Sequence, residues 1–283
     1  MNEDNLKKIY KQKIKELKKH NKLYYDKSKP IISDSEYDKL KNEIIILEKK
    51  NNFLYDISSP NNSVGFKPSK LFQKYQHKVS MLSLSNAFDE EDLKNFEKKI
   101  FNYLNKKVDI EYSVEPKIDG ISASLTYKNN KLIFGASRGD GKIGELITEN
   151  LKTIKDIPKE INFTNFPKEI EIRGEVFIKK KEFIKIKDNF ANARNAASGS
   201  LRQKNPEDTR KIPLNFIAYT FGYINNKNFK KQSDFLYQLK KWGFKTNSEN
   251  IVLKSINELI IFHKKFENKR FNLDYDVDGL VYK

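Results

Sequence analysis

Cysteine is absent from the 283 residues. That excludes a disulfide framework and a thiolate metal site, and it fits a reducing compartment. No apolar run approaches the length of a membrane span, and the opening "MNEDNLKKIY" lacks the apolar core of a secretory signal. The expectation is a soluble, cytoplasmic protein with no membrane partner. Acidic residues are in deficit: 55 Lys and Arg stand against 38 Asp and Glu, a formal net charge of +17. This excess favours a polyanionic partner such as nucleic acid. Lys far outnumbers Arg, and Asn and Ile are abundant. The codon bias of an AT-rich genome accounts for the charge equally well.

What is present is enough to fold. Apolar residues make up 37% of the chain, with 20 Phe and 14 Tyr, and the length suits one large domain or two smaller ones. Leu6, Ile9, Tyr10, Ile14 and Leu17 recur at helical spacing and predict an amphipathic helix. Ser33 and Glu36 form an S-x-x-E capping box before a second stripe of Tyr37, Leu40, Ile44 and Leu47. Together they predict a helical hairpin. The polar stretch "SSPNNSVGFKPSK" reads as a linker and places a domain boundary near residue 70, giving domains 1–70 and 71–283.

Beyond the linker, Asp89 is placed to cap a helix carrying Leu93, Phe96, Ile100 and Leu104, and the apolar period then turns mainly to two. "ISASLTYKNNKLIFGAS" reads as two strands joined at Asn129 and Asn130. "EIEIRGEVFI" alternates with Ile170, Ile172, Val176 and Ile178 on one face. "DFLYQLKKWGF" reads as a helix ending near Gly243, and "VDGLVYK" as a last strand. The expected fold class is α+β, with a largely antiparallel second part.

The stretch "EPKIDG", residues 115 to 120, carries the chemistry. Alternation puts Ile110, Tyr112 and Val114 on one strand face and Glu111, Ser113, Glu115 and Lys117 on the other. Arg173 and Glu175 likewise oppose the aliphatic face of their strand. These charges either wall a polar cleft or form an ordinary solvent face; the pattern alone leaves both open. A lysine is a nucleophile where desolvation or nearby positive charge keeps part of it as the free amine. Attack on a phosphate anhydride would give a phosphoramidate. K-x-D-G alone is weak evidence, because four letters recur by chance.

Its companions are more specific. "HNKLYYDKSKPIISDSEYDKL", "SMLSLSNAF", "EPKIDG", "SRGDGKIGELITENLKTI", "EIRGEVFI", "FANARNAASGSLRQ", "YQLKKWGF" and "DVDGLVYK" follow in order along essentially the whole chain. In that order and spacing they resemble the bacterial NAD-dependent DNA ligases, of the covalent nucleotidyltransferase superfamily. The resemblance implies that Lys117 attacks the α-phosphorus of NAD, releasing nicotinamide mononucleotide (NMN) and leaving lysyl-AMP. AMP then passes to the 5′-phosphate of nicked double-stranded DNA before the strand is sealed. It implies Mg2+ as a cofactor beside NAD, and a monomer.

Residue by residue, the resemblance gives Glu115 as the adenine contact, Ser83 and Leu84 as the border of the adenine pocket, and Arg138 and Glu175 as ribose contacts. Asp119 shapes the charge around either the lysine or the metal. Lys283, preceded by Asp278, resembles a lysine that faces the α-phosphate. Tyr24, Tyr25, Asp34, Tyr37 and Asp38 match the positions that recognise NMN, although Tyr37 also fits the apolar stripe and the aspartates a helix start. Arg194 and Arg202 are candidates for DNA or nucleotide contact within a small-residue segment. "GDGKIG" lacks the context of a phosphate loop and carries no such expectation.

The sequence departs from the family at Phe66, where a second glycine is usual, and in "TRKIPL", which lacks an arginine before its Pro-Leu. The final adenylation motif and the zinc module expected further along are not in these 283 residues, so the expectation is an amino-terminal fragment of a longer ligase. Two other readings share some features. An ATP-dependent ligase or RNA-capping enzyme would also carry K-x-D-G but not the cluster at residues 24 to 38. A catalytically silent nucleic-acid-binding module would not need Lys117, Glu115 and Glu175.

Overall fold

In the computed structural model, the described residues are 3–21, 23, 31–32, 34–54, 59, 72–226 and 229–283. The packing divides the chain into two units, Met1–Leu82 with Arg138–Leu146, and Ser83–Ser137 with Ile147–Lys283. The boundary expected near residue 70, and Phe66, lie outside the described residues.

The first unit opens with α1 (Glu3–Asn21) and α2 (Asp34–Lys50), the expected hairpin. Tyr10, Leu17, Ile44 and Leu54 are buried between them, with Leu6, Ile14, Tyr37, Leu40 and Leu47 packed around. These are the two predicted stripes, facing each other. Tyr10 donates to Glu48 at 2.8 Å and Lys13 pairs with Glu43 at 2.7 Å, so the polar edges of the two stripes also match. Ser33, the expected cap of α2, lies outside the described residues. The same unit contains β1 (Lys74–Gln76), paired antiparallel with β5 (Ile143–Glu145). At the turn into β5, Gly139 has φ +59°, and a Cβ there would stand 1.9 Å from the Ile143 carbonyl oxygen. The "GDGKIG" stretch is therefore a tight turn.

The second unit begins with α3 (Glu90–Leu104), which Asp89 caps by accepting the Asp92 amide at 2.9 Å. Its first strand is β2 (Tyr112–Ile118), followed by the hairpin β3 (Ile121–Lys128) and β4 (Lys131–Ser137). Asn129 and Asn130 turn that hairpin with φ of 47° and 68°, a left-handed pair that Asn tolerates. Next come α4 (Thr148–Leu151), β6 (Glu169–Ile178), α5 (Lys180–Ile184), α6 (Ala193–Leu201), α7 (Pro206–Arg210) and β7 (Leu214–Ile224). The chain continues through α8 (Gln232–Lys241), β8 (Ile251–Leu253), α9 (Ile256–Lys269) and β9 (Val277–Tyr282). The strands form two antiparallel sheets, in the orders β4-β3-β6-β7 and β8-β2-β9. The fold is α+β, as the periodicities predict.

Each sheet carries a helical layer. Tyr112 and Val114 of β2 are buried with Leu93 of α3 and Ile256 and Leu259 of α9. Ala193, Ala196 and Ala197 let α6 approach Ile178 of β6 closely. α8 ends at Lys241, just before Gly243 with its φ of +88°, and Trp242 packs on Phe166 at 4.8 Å between ring centroids. Among the elements not read from the sequence, β7 and α9 are the longest.

Candidate active site

The β2–β9 pair brings four of the expected site residues together. Its register sets Glu115 opposite Val281 and Lys117 opposite Gly279, with a shift between Lys117 and Ile118. Lys117 Nζ forms an ion pair with Asp278 Oδ2 across the ladder. Lys283, just past β9, reaches back so that its Nζ lies 2.8 Å from Glu115 Oε1. Each strand thus supplies one cation and one carboxylate to the other. The two pairs differ in setting. Lys117 is 44% exposed and accessible to a ligand, whereas Glu115 is 4% exposed. Burial pulls the Lys283 ammonium below the usual lysine pKa, with Glu115 opposing the shift.

Glu115 is held from several sides. Gln232 Nε2 donates to its Oε1 at 2.8 Å and to the Tyr219 carbonyl at 2.6 Å. Lys283 donates to that carbonyl too, at 3.1 Å, and lies over the Tyr219 ring at 5.3 Å. Gln232 and Tyr219 escaped the sequence reading. Gln232 is 117 residues from Glu115 and has no local pattern. Tyr219 could have been found from the apolar, aromatic run "LNFIAYTFGYI", which becomes β7.

The polar face of β6 is not a solvent face. Glu171, Arg173 and Glu175 are all buried. Glu175 accepts from Ser122, its partner across the β3–β6 register, at 2.9 Å. Glu171 Oε1 accepts from Ser124 at 2.7 Å and from Arg173 at 2.7 and 2.8 Å. Gly222 leaves room for that guanidinium, since a Cβ there would stand 2.5 Å from Arg173 Nη2. Gly120, the last residue of K-x-D-G, lies against β6: its Cβ would meet the Val176 carbonyl oxygen at 2.4 Å and Glu175 Cγ at 2.8 Å.

Asp119 turns to α6. Its Oδ1 accepts from Arg194 Nη1 at 2.9 Å, and its amide donates to the Asp276 carbonyl at 2.9 Å. Arg202 is at the opposite end of α6 from Arg194, as its C-cap. Ser83 and Leu84 lie in an irregular exposed stretch before α3, with Leu84 58% exposed. Arg138 belongs to the first unit, where its carbonyl oxygen is 3.2 Å from His77 Nε2. Tyr37 is in the hairpin core, and its hydroxyl donates to Asn21 Oδ1 at 2.6 Å. Tyr24, Tyr25 and the side chains of Asp34 and Asp38 lie outside the described residues.

The chain matches two known families along its length. Residues 69–283 match the family described as NAD-dependent DNA ligase adenylation domain, and residues 3–65 the DNA ligase-like, N-terminal NAD+-binding domain. A protein named DNA ligase from Pelagibacter ubique is 62% identical over 285 residues, covering all of this chain and 42% of its own length. One from Parvibaculum lavamentivorans is 44% identical over 278 residues, covering 95% of this chain and 39% of its own. One from Rickettsia bellii is 42% identical over 291 residues, with 100% and 42% covered. The chain spans about two fifths of the length of these relatives.

Proposed function

The chain belongs to the NAD-dependent DNA ligase adenylation-domain family, and from that premise we propose that Lys117 is its nucleotide-accepting nucleophile. The observation that carries this reading is the accessible Lys117–Asp278 pair beside the Glu115–Lys283 pair, whose carboxylate is buried. Lys117 Nζ, as the free amine, bonds to the α-phosphorus of NAD, and the bond from that phosphorus to the bridging oxygen breaks. NMN leaves with that oxygen, and one proton leaves Nζ. Asp278 orients the lysine before attack and is replaced when the phosphate arrives.

Glu115 receives the adenine. Its pairing with Lys283 supports a role for Lys283 at the base as well as toward the phosphate. Glu175, Arg138, Ser83 and Leu84 complete the nucleoside site, and Tyr24, Tyr25, Asp34, Tyr37 and Asp38 recognise NMN. Residues 1–70 form the NMN-recognition domain and 71–283 the nucleotidyltransferase domain.

Magnesium fits the chemistry of the donor set. A hard cation takes oxygen ligands, usually one or two carboxylates plus phosphates and water; Asp119 stands two residues after Lys117 in sequence, and Asp278 pairs with Lys117 across the ladder. Bound there, it would offset charge on the transferring phosphate.

In the whole protein, the adenylyl group passes to the 5′-phosphate of nicked duplex DNA, with Arg194 and Arg202 on the DNA side. The excess of positive charge supports that partner. Among the described residues no helix is long and apolar enough to cross a membrane, which supports a cytoplasmic location. We take the working form to be a monomer. The test is intact-mass measurement after incubation with Mg2+ and either NAD or ATP. One adenylyl group from NAD alone, lost in Lys117→Ala, is expected. Label from ATP would favour the other ligase class, and label from neither, in this chain and in the longer protein extended past Lys283, would overturn the reading.

A further inference from the structure

Gln232 Nε2 and Lys283 Nζ bridge the same two acceptors, Glu115 Oε1 and the Tyr219 carbonyl oxygen. Ser113 Oγ also approaches Glu115 Oε1, at 3.5 Å. These donors all converge on one carboxylate oxygen. Among the described residues, Glu115 Oε2 accepts no hydrogen bond.

The Gln232 amide has a single consistent orientation. A carboxylate and a backbone carbonyl only accept, so the NH2 group and not the amide oxygen must face them. Its backbone is anchored as well. Gln232 opens α8, whose Phe235, Leu236 and Leu239 are buried, and the preceding Lys231 donates to Glu111 Oε2 at 2.6 Å. The side chain is therefore in place before any ligand arrives. Lys283 is a different kind of partner: its ammonium is a point charge with three rotatable donors, able to shift toward an incoming anion. The directional amide is the fixed element.

A carboxylate with one oxygen committed offers the other as a pure acceptor. A purine with an amino group at C6 supplies the N–H that this oxygen needs. A purine with a carbonyl at C6 brings a second acceptor against it, and a site built to receive a donor rejects such an analogue. We infer that Gln232 is a specificity-determining positioning residue: by committing Glu115 Oε1, it presents Oε2 to the base and selects a 6-amino over a 6-oxo purine dinucleotide. The inference rests on the reading that Glu115 contacts the base and Lys117 takes the adenylyl group.

The test compares self-nucleotidylation of the chain with NAD and with nicotinamide hypoxanthine dinucleotide, in which a carbonyl replaces the amino group. Gln232→Met keeps length and shape but removes the donor. Its preference for NAD should fall about tenfold, through a raised KM for NAD with the maximal rate changed less than about twofold. Gln232→Glu sets a second carboxylate against Glu115. Its preference should be lost at neutral pH and return as the new carboxyl gains a proton in mildly acidic solution, a rescue that general structural damage would not give. Unchanged preference in Gln232→Met would overturn the role of Gln232 alone. So would equal losses with both dinucleotides and a lowered Tm, which mark a structural role. If the unmodified chain takes no nucleotidyl group and shows no NAD binding by calorimetry, the underlying reading fails and this one with it.

Discussion

Arg194 Nη1 lies 2.9 Å from Asp119 Oδ1, tying the residue two places after Lys117 to the first turn of α6. Both side chains are about one-fifth exposed. The pair is therefore neither a fully screened surface contact nor a dry internal one. Arg194 thus holds Asp119 through Oδ1. The contact also gives Arg194 a structural role beside its proposed place on the DNA side.

The Asp119–Arg194 contact can be isolated by a double-mutant cycle. Asp119→Asn, Arg194→Gln and the double variant, unfolded in urea, should give a coupling energy of about 1 kcal/mol. A coupling within error of zero would mean that the pair does not persist in solution.

Lys117→Arg should take up no adenylyl group, because guanidinium keeps its proton and is not a usable amine. Asp278→Asn retains the shape of the partner but not its charge. Adenylation should then slow by about 10- to 100-fold through poorer orientation of the amine. Single-turnover mass measurement gives both rates, and an unchanged rate in Asp278→Asn would remove Asp278 from the proposed mechanism.

Gly120→Ala tests the last residue of K-x-D-G. The added methyl would stand 2.4 Å from the Val176 carbonyl oxygen, which is backbone and cannot swing away. The cost should be about 2–3 kcal/mol of stability. The same methyl would press on Glu175 Cγ at 2.8 Å, so the KM for NAD should rise even where the variant is fully folded. Urea unfolding and adenylation kinetics separate the two effects. The glycine is thus required by steric approach to β6.

How much of this was legible in the sequence depended on range. Leu6 to Leu17 and Tyr37 to Leu47 announced the hairpin because each stripe needs only one helix to be recognised, and the two stripes then face each other. Asp89 announced α3, and Asn129–Asn130 their turn, because caps and tight turns are local. α9 carried a readable signal that went unused: Ser255 caps the Glu258 amide while Glu258 accepts from Lys254, within the run "KSINE". The burial of Arg173 and Glu175 was not legible. Alternation tells which residues share a face, but whether that face meets water depends on the strands and helices laid over it. The Gln232–Glu115 and Arg194–Asp119 contacts were hidden for the same reason, joining positions 117 and 75 residues apart.

Lys283 gives a pH prediction whose sign can be worked out. Burial places its folded-state pKa below the ordinary lysine value of 10.5, while the unfolded chain keeps that value. Between the two, the unfolded state binds more protons than the folded state, so stability rises with pH across that window. Lys283→Met has no proton to exchange there. The difference in unfolding free energy, wild type minus Lys283→Met, should therefore move in favour of the wild type between pH 7 and pH 10. Tyr282 next to it is pushed up to about 12 by burial, so it stays protonated over this range and does not confuse the comparison. Urea unfolding at the two pH values measures the difference. A shift of the opposite sign would mean that attraction to Glu115 outweighs burial, and Lys283 would then act as a permanently charged partner of the base-binding carboxylate.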